Sequence, residues 1–350
     1  SHSGGLHGGL HGGGSHGGGS HGSGLHGSGL HGGLHSPGTG EDTAESPEDI
    51  LESLLNYAEE AGIIPGGTHT YRELLDTAIM GELIPRQSAV QEKFERDAKE
   101  KGIKTAADDF YKFCINTNYI RMNRIRKNIE WKAGTSYGDL CITVNLSKPE
   151  KDPREIAMLL EKALQSGYPA CLLCVENVGY AGRPDHPARQ NLRVIPLELC
   201  GERWYFQFSP YVYFNQHCIV LSKEHRPMLV DEKTFVRLFD FLDIFPHYFI
   251  GSNADLPIVG GSILNHDHFQ GGFHRFPMDE ARIRTPVRHD GYPGISGGVL
   301  HWPVSTLRLS GRDRGELTAL ASEILDSWKE YSDIEAGIYA YTADGEGSRI

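Results

Sequence analysis

The stretch SILNHDHFQGG places three nitrogen-bearing side chains at intervals of two residues. Successive side chains of a strand point to opposite faces, so a strand over 265–274 would put His266, His268 and Gln270 on one face. Neighbours on that face lie about 6.5–7 Å apart, which suits one imidazole at a metal and the next at a substrate. Phe269 would then point into the core. A half-buried strand with incidental polar residues is the alternative, but the repeated spacing favours the functional interpretation.

The stretch CLLC supplies two cysteines, Cys171 and Cys174, at a spacing that lets two thiolates chelate one ion, usually zinc. A buried pair of small apolar residues is the alternative explanation. A tetrahedral site needs two more ligands, and the candidates are His217, His225 and His266. A site built from both cysteines, His266 and one of the two intermediate histidines leaves the second histidine of the His-x-His pair free.

That second histidine, His268, is the candidate nucleophile, because a neutral imidazole on a rigid strand can carry a group as a covalent intermediate. Gln270, Ser262 and the glycines at 260–261 offer hydrogen-bond donors for phosphate oxygens. Phosphorus is therefore the electrophile that this arrangement favours. The glycines at 271–272 remove side chains where a ligand or another backbone approaches.

Composition disfavours several classes of partner. The 350 residues carry a formal net charge of −12, and 39% of them are apolar, which is enough for a sizeable core. No basic cluster indicates nucleic acid or an anionic membrane as a partner. No run of about 18 apolar residues predicts a membrane span, and no charged and then apolar leader predicts secretion. Six cysteines are too few for a disulfide scaffold and fit a reducing compartment, so we expect a cytoplasmic protein.

Three segments differ in pattern along the chain. Residues 1–45 are dominated by a repeat of Gly, His, Ser and Leu. Such a repeat cannot bury enough apolar surface to offset its chain entropy, so we expect a disordered tail. A loosely metal-binding tail and an incidental low-complexity extension are the two interpretations, and the second is favoured. A helical segment over 46–127 and a strand-rich segment over 128–350 follow.

The segment 46–127 carries several helix-start signals. Ser46 followed by Pro47 has the pattern of an N-cap and first helical position. TYRE at 70–73 and SAVQ at 88–91 have the sequence of capping boxes, which predicts two further helices. A fourth helix is expected after them.

The segment 128–350 changes to a strand period. Leu140, Ile142 and Val144 alternate with polar residues after a glycine-containing turn, which predicts a strand. Further strand patterns occur in NLRVIPLEL, RWYFQFSPYVYF, HCIVLS, HYFIGS, NHDHFQGGFHRF and GVLHWPVSTLRLS, with a short last strand at 337–342. Helices are expected from Asp152 to Gly167, from Asp231 onwards, and over 313–331. The pattern predicts an α+β fold, in which a helical N-terminal segment is followed by a mostly antiparallel sheet with packed helices.

Three stretches carry a resemblance to a known family: GSNADLPIVGGSILNHDHFQGG at 251–272, YPACLLCVENVGYAGR at 168–183 and VNLSKPEKDP at 144–153. From about 46 to 342 the chain resembles the second, bacterial family of UDP-glucose–hexose-1-phosphate uridylyltransferases, also called galactose-1-phosphate uridylyltransferases. HDHFQ is similar to the His-x-His-x-Gln motif of the wider histidine-triad superfamily. The resemblance implies a histidine-triad-like catalytic domain over 128–350.

The resemblance implies transfer of uridylyl from UDP-glucose to galactose 1-phosphate, which gives glucose 1-phosphate and UDP-galactose in the Leloir pathway of galactose metabolism. By position it makes His268 the nucleophile of a two-step exchange and Gln270 a ligand of the transferred phosphate. The two sugar compounds are the expected partners, with no nucleic acid and no membrane. The resemblance is also compatible with a homodimer.

The resemblance further implies a structural Zn²⁺ ion. The ligands that it assigns by position are Cys171, Cys174 and His266. The family's fourth ligand lies in a segment resembling LSKEHRP, so the assignment falls on His225 rather than His217.

Other residues are assigned to substrate by looser similarity. Asn253 and Ser262 lie where the family contacts nucleotide and phosphate. Arg121, Arg124 and Lys127 could reach phosphates, and a solvated helix end is the alternative explanation of these three cations.

Two features depart from the family pattern. The chain ends at DGEGSRI where family members continue, so we expect that it lacks the family's C-terminal half, and the His-rich tail has no counterpart. Three hypotheses follow: the uridylyltransferase, another histidine-triad nucleotidyl transferase or hydrolase such as one acting on an adenylylated substrate, and an inactive zinc-stabilised fragment of the transferase.

Overall fold

The computed structural model describes residues 47–64, 69–146, 167–256 and 263–341. The helices in these ranges are α1 (Pro47–Glu60), α2 (His69–Leu83), α3 (Gln87–Lys101), α4 (Ile103–Asn116), α5 (Met122–Ile125), α6 (Glu232–Ile244) and α7 (Arg314–Lys329). The strands are β1 (Ile129–Thr135), β2 (Gly138–Val144), β3 (Ile195–Leu199), β4 (Glu202–Phe208), β5 (Cys218–Ser222), β6 (Phe249–Ser252), β7 (His268–Gly272), β8 (Ile283–Val287), β9 (Ser296–Leu300) and β10 (Leu307–Ser310). Each helix within the described ranges is too short or too polar to cross a lipid bilayer.

A central sheet packs one aromatic face against helices. Its five strands run in the order β3-β4-β5-β7-β6, and every neighbouring pair is antiparallel. Alternation along β4 sends Trp204, Phe206 and Phe208 to one face, where Phe269 stacks on Trp204 with ring centroids 4.9 Å apart. Helices α3, α4 and α6 cover this face with buried phenylalanines. The predicted α+β class, with a helical front and antiparallel sheets, is confirmed.

The opposite face of the same sheet carries the histidine motif. His268 pairs with Leu221 of β5, and Gln270 pairs with Ile219. Because Phe269 lies between them and points into the aromatic core, His268 and Gln270 project together from the other face. This confirms the expected direction of Phe269.

Two helix starts differ from the predicted ones. α2 begins at His69 and α3 at Gln87, so the predicted capping boxes at Thr70 and Ser88 do not form at those positions. At α3 the reason is a tertiary contact. The Gln87 amide donates to the carbonyl of Val194 at 2.6 Å and accepts from its N–H at 3.1 Å, which fixes the helix start against the sheet.

Strand predictions are confirmed in part. β2 forms where the alternation predicts it, but β7 begins only at His268, so His266 precedes the strand instead of lying within it. GVLHWPVSTLRLS covers the end of β9 and the whole of β10 instead of one strand, and both join β8 in a separate three-stranded sheet. The predicted strand at 337–342 is, within the described residues, only an isolated bridge between Asp333 and Ile338. Ser46, Ser262, the tail at 1–45 and the predicted helix from Asp152 lie outside the described residues.

The predicted start of α6 at Asp231 is confirmed. The Asp231 carboxylate accepts a hydrogen bond from the N–H of Thr234 at 3.0 Å, and the Thr234 hydroxyl accepts from the N–H of Asp231 at 3.2 Å. Replacing Asp231 with alanine is expected to lower the free energy of unfolding by about 1 kcal/mol, because the N–H of Thr234 at the helix start loses its side-chain acceptor. Urea denaturation measures the effect. Asp231→Asn retains an acceptor oxygen and should cost much less, so equal losses in both variants would contradict the assignment.

Candidate functional site

Four predicted metal ligands from three chain segments meet at one end of β7: Cys171, Cys174, His225 and His266, whose ligand atoms all lie within 4.8 Å of one another. Cys171 Sγ lies 3.5 Å from Cys174 Sγ and 3.2 Å from His266 Nδ1, and Cys174 Sγ lies 3.1 Å from His225 Nδ1. Tetrahedral zinc at ordinary bond lengths sets S···S and S···N separations of about 3.8 and about 3.6 Å. The cluster therefore fits a metal ion after shifts of a few tenths of an ångström.

Hydrogen bonds from outside the cluster orient its ligands. His266 Nε2 lies 2.9 Å from the Ser222 carbonyl, which can only accept, so Nε2 carries the proton and Nδ1 keeps its lone pair for a metal. The side-chain amide of Asn177 donates to the carbonyls of both Cys171 and Cys174 at 2.8 Å. Because that amide donates twice, its oxygen is free to accept from His186 Nε2 at 2.7 Å.

The ionisation of the cluster depends on whether a cation is nearby. Burial, followed by the hydrogen bond with Cys171, raises the pKa of Cys174 to about 12, so the thiolate form requires a nearby positive charge. Burial lowers the pKa of His266, which favours the neutral imidazole that a metal needs.

Asn177 was not predicted from the sequence, although it follows Cys171 and Cys174 at the same interval of three residues. Replacing Asn177 with alanine is expected to weaken metal affinity about 10- to 100-fold, since the loop that presents both thiolates loses its two amide contacts. Competition with a chromophoric chelator measures this. Asn191→Ala is the matched control, because Asn191 is equally buried but donates to Thr117 instead. Equal metal affinity in the two variants would contradict the role.

His268 has the geometry of a nucleophile. Its Nδ1 lies 2.8 Å from the carbonyl of His266, so Nδ1 carries the proton and Nε2 keeps the lone pair. Nε2 makes no hydrogen bond to the described residues and is not among their fully buried unpaired polar atoms, so it retains access to solvent. The residue as a whole is only 3% exposed. Burial lowers the pKa of His268, which favours the neutral ring.

Gln270 contacts His217, the histidine that sequence reasoning left as an alternative metal ligand. His217 Nε2 lies 3.0 Å from the amide of Gln270, and His217 Nδ1 lies 2.8 Å from the Tyr211 carbonyl. His217 is therefore not part of the metal cluster. The glycines after Gln270 make room for neighbouring backbone: a Cβ at Gly271 would overlap the Phe249 carbonyl, and one at Gly272 would lie 2.9 Å from the carbonyl oxygen of Gln216.

The remaining predicted substrate residues lie in two places. Ser252, the last residue of β6, pairs with Phe269, and Asn253 directly follows it. Arg124 is half-buried and donates to Glu73, so it is not the solvated helix end that was the alternative, whereas Lys127 is exposed. A small depression lies between three arginines and the loop that precedes His217. It is lined by Tyr119, Arg121, Arg124, Arg189, Pro210 and Tyr211.

Acidic residues compensate two of these arginines. Burial disfavours the ionised carboxylate of Glu73, but the charges of Arg121 and Arg124 outweigh it and lower the pKa of Glu73. At Asp76 burial wins, and its pKa is raised in spite of the hydrogen bond from Arg121. The arginines are therefore held in place before any anion binds.

A separate cavity lies away from the cysteine and histidine cluster. Its volume is about 420 Å³, and it is bordered by α1, α2, α4 and α5, with Glu48, Asp49 and Arg126 in its wall. None of the predicted metal or catalytic residues lines it.

Comparison with known protein families decides the classification. A family model described as the N-terminal domain of galactose-1-phosphate uridyl transferase matches residues 35–227. The chain belongs to the galactose-1-phosphate uridyl transferase family. The family's C-terminal domain model matches residues 241–342, and the sequence expectation that the family's C-terminal half is missing is therefore not supported. The cluster draws Cys171, Cys174 and His225 from the first match and His266 from the second.

Three relatives named galactose-1-phosphate uridylyltransferase illustrate the similarity. The chain is 57% identical to that of Caldanaerobacter subterraneus subsp. tengcongensis over 86% of its own length. It is 54% identical to that of Fusobacterium nucleatum over 85% of its length, and 51% identical to that of Bacillus subtilis over 86%. The chain spans 58% of the length of each of these relatives. No solved structure matches the chain.

Proposed function

We propose that the chain transfers a uridylyl group from UDP-glucose to galactose 1-phosphate, releasing glucose 1-phosphate and UDP-galactose. Membership of the galactose-1-phosphate uridyl transferase family supports the reaction class. The observation that carries the proposal is the solvent-accessible Nε2 of His268, whose ring is fixed by the hydrogen bond from Nδ1 to the His266 carbonyl.

The exchange takes place in two steps through one histidine. In the first, Nε2 of His268 attacks the α-phosphorus of UDP-glucose, a P–N bond forms, and the bond to the bridging oxygen breaks to release glucose 1-phosphate. In the second, a phosphate oxygen of galactose 1-phosphate attacks the same phosphorus and the P–N bond breaks. The His266 carbonyl accepts from Nδ1–H throughout and stabilises the positive charge that develops on the ring.

Neighbouring residues bind the phosphates and the nucleotide. Gln270 shares the sheet face with His268, so its amide is placed to donate to a non-bridging oxygen of the transferred phosphate. Asn253, which directly follows β6 next to the Ser252–Phe269 pair, is assigned to the nucleotide side. Arg124, in the arginine-lined depression, is assigned to a phosphate. Ser262 is assigned to phosphate by resemblance and lies outside the described residues.

We assign Zn²⁺ to the cluster of Cys171, Cys174, His225 and His266. Two thiolates and two imidazoles fill a tetrahedral zinc shell, so the ion is structural and no step of the transfer passes through it. By holding His266 it would fix the carbonyl that orients His268. The histidine-triad-like fold, the division into a tail at 1–45, a helical segment at 46–127 and a catalytic domain at 128–350, a homodimer and a cytoplasmic location stay predictions.

The deciding experiment is incubation of the full chain with UDP-glucose labelled in the uridylyl group, followed by mass spectrometry. We expect one covalent uridylyl adduct that galactose 1-phosphate discharges as UDP-galactose. Labelling by an adenylylated donor but not by UDP-glucose would favour another histidine-triad nucleotidyl transferase or hydrolase. Folded, metal-loaded protein that accepts neither donor would favour the inactive zinc-stabilised fragment.

A further inference from the structure

We propose that His217 is the positioning residue for Gln270 and decides which end of the Gln270 amide faces the transferred phosphate. The inference deepens the proposed function and rests on it for the identity of the phosphate. His217 lies outside the metal cluster and is 2% exposed, so it acts on the transferred phosphate only through Gln270.

The ring of His217 is fixed from several sides. Its Nδ1 lies 2.8 Å from the carbonyl of Tyr211 and its Nε2 lies 3.0 Å from the amide of Gln270. The rings of Phe214 and Tyr213 pack on it, with centroids 4.7 and 5.4 Å away. Its backbone N–H donates to the Phe214 carbonyl at 3.2 Å. A ring held in this way can transmit its orientation to a partner.

The turn that precedes His217 has a strained backbone that several contacts hold in place. Gln216 has a positive φ of 53°, which is unfavourable for a non-glycine residue. Its side-chain amide donates to Asp108 at 2.7 Å and accepts from the hydroxyl of Tyr248. Gly272 packs directly against this turn. These contacts hold the strained backbone that aims His217 at β7.

Hydrogen-bond chemistry then links the proton of His217 to the orientation of Gln270. The Tyr211 carbonyl only accepts, so Nδ1 of His217 must carry a proton. The Gln270 atom that faces Nε2 is its carbonyl oxygen Oε1, which also only accepts. Both contacts are satisfied only when both ring nitrogens are protonated, and the amide N–H groups of Gln270 then face away from His217 as donors for a phosphate.

A neutral His217 gives the opposite arrangement. Nε2 then presents a lone pair, and the Gln270 amide must rotate by half a turn to donate to it. Its oxygen would face outward and repel a phosphate oxygen. The protonated ring therefore corresponds to the phosphate-binding orientation, and the neutral ring to a non-binding one.

The protonation state of His217 depends on whether a phosphate is bound nearby. Burial lowers the pKa of His217, against the opposing effects of the hydrogen bonds to Tyr211 and Gln270. The titratable and charged groups on the elements packed around it are Tyr211, Tyr213, Cys218, Tyr248 and Asp108 through Gln216, His268, His274 and the three arginines of the depression. None of the described acidic residues forms an ion pair with His217. A bound phosphate is the anion that would favour its protonated form.

The sign of the pH effect follows. A phosphate ligand raises the pKa of His217, so phosphate binding takes up a proton. Affinity is highest below the pKa of His217 in the ligand-free state, falls as the pH rises from that pKa to the higher pKa of the ligand-bound state, and is constant above it.

The first test needs no catalysis. In the ligand-free full chain, side-chain amide resonances of ¹⁵N-labelled Gln270 are expected to move with the protonation of His217, with a midpoint below the ordinary histidine pKa. Resonances are assigned with the Gln270→Ala and His217→Phe variants. Gln270 signals that do not follow the titration of His217 would overturn the proposal, whether or not the chain transfers uridylyl groups.

The second test is a double-mutant cycle on the rate of uridylyl adduct formation. Gln270→Ala and His217→Phe are each expected to slow it about 10²-fold, the usual effect of losing one such donor. The double variant should be no slower than Gln270→Ala, because His217 acts through Gln270. His217→Asn should recover part of the rate and lose the pH dependence. Multiplicative slowing in the double variant would overturn the proposal, while absence of an adduct in the unsubstituted chain would instead count against the proposed function.

Discussion

Replacing His268 with alanine is expected to abolish the uridylyl adduct and to lower the rate of exchange between UDP-glucose and galactose 1-phosphate by on the order of 10⁴-fold or more. The variant loses the only atom proposed to bond to phosphorus, so no covalent intermediate can form. Mass spectrometry of the adduct and isotope exchange between glucose 1-phosphate and UDP-glucose measure the two effects. Metal content and unfolding should change little, since His268 is not a metal ligand.

A surface histidine provides the control for this variant. His289 is exposed and lies 3.5 Å from Glu323 on α7, so His289→Ala removes an imidazole without touching β7. It should retain both adduct and exchange. An adduct mapped to a residue other than His268, or exchange that persists in His268→Ala, would show that the nucleophile is wrongly assigned.

Replacing Cys171 with serine is expected to remove the bound metal and to destabilise the protein by well over the ~1 kcal/mol of an average substitution. A metal held by this cluster would link three segments of the chain, so its binding free energy would contribute to folding. Metal analysis after a weak chelator has cleared ions from the His-rich tail, combined with thermal unfolding, measures both quantities. Cys200→Ser is the control, because Cys200 is an exposed cysteine outside the cluster.

A matched pair of histidine variants tests the fourth ligand. His225→Asn should lower metal content, whereas His217→Asn should retain the metal and affect only the phosphate side. Metal retained at one ion per chain in Cys171→Ser, or lost in His217→Asn, would contradict the assigned cluster.

The sequence by itself determined the local parts of this site. Alternation placed His268 and Gln270 on one face and Phe269 in the core, because side-chain direction along a strand depends only on local backbone geometry. The start of α6 at Asp231 was predictable for the same reason, since both partners of its capping box lie within four residues. Capping boxes at Thr70 and Ser88 were predicted and do not form there, because at α3 a bond from Gln87 to distant Val194 sets the helix start.

The spacing of the residues left both His217 and His225 open as the fourth ligand, and the tertiary structure gives the physical reason for His225. The two flank the same short strand, β5, and nothing in their spacing says which end approaches the cysteines. Although the family resemblance selected His225, the physical reason is the antiparallel pairing of β5 with β7, in which Leu221 faces His268 and Cys218 faces Gly271. That register brings His225, three residues after the end of β5, to His266 and the two cysteines, and it brings His217, directly before β5, to Gln270. Such a pairing joins residues about fifty positions apart, and it is fixed by packing of the whole sheet rather than by any local pattern.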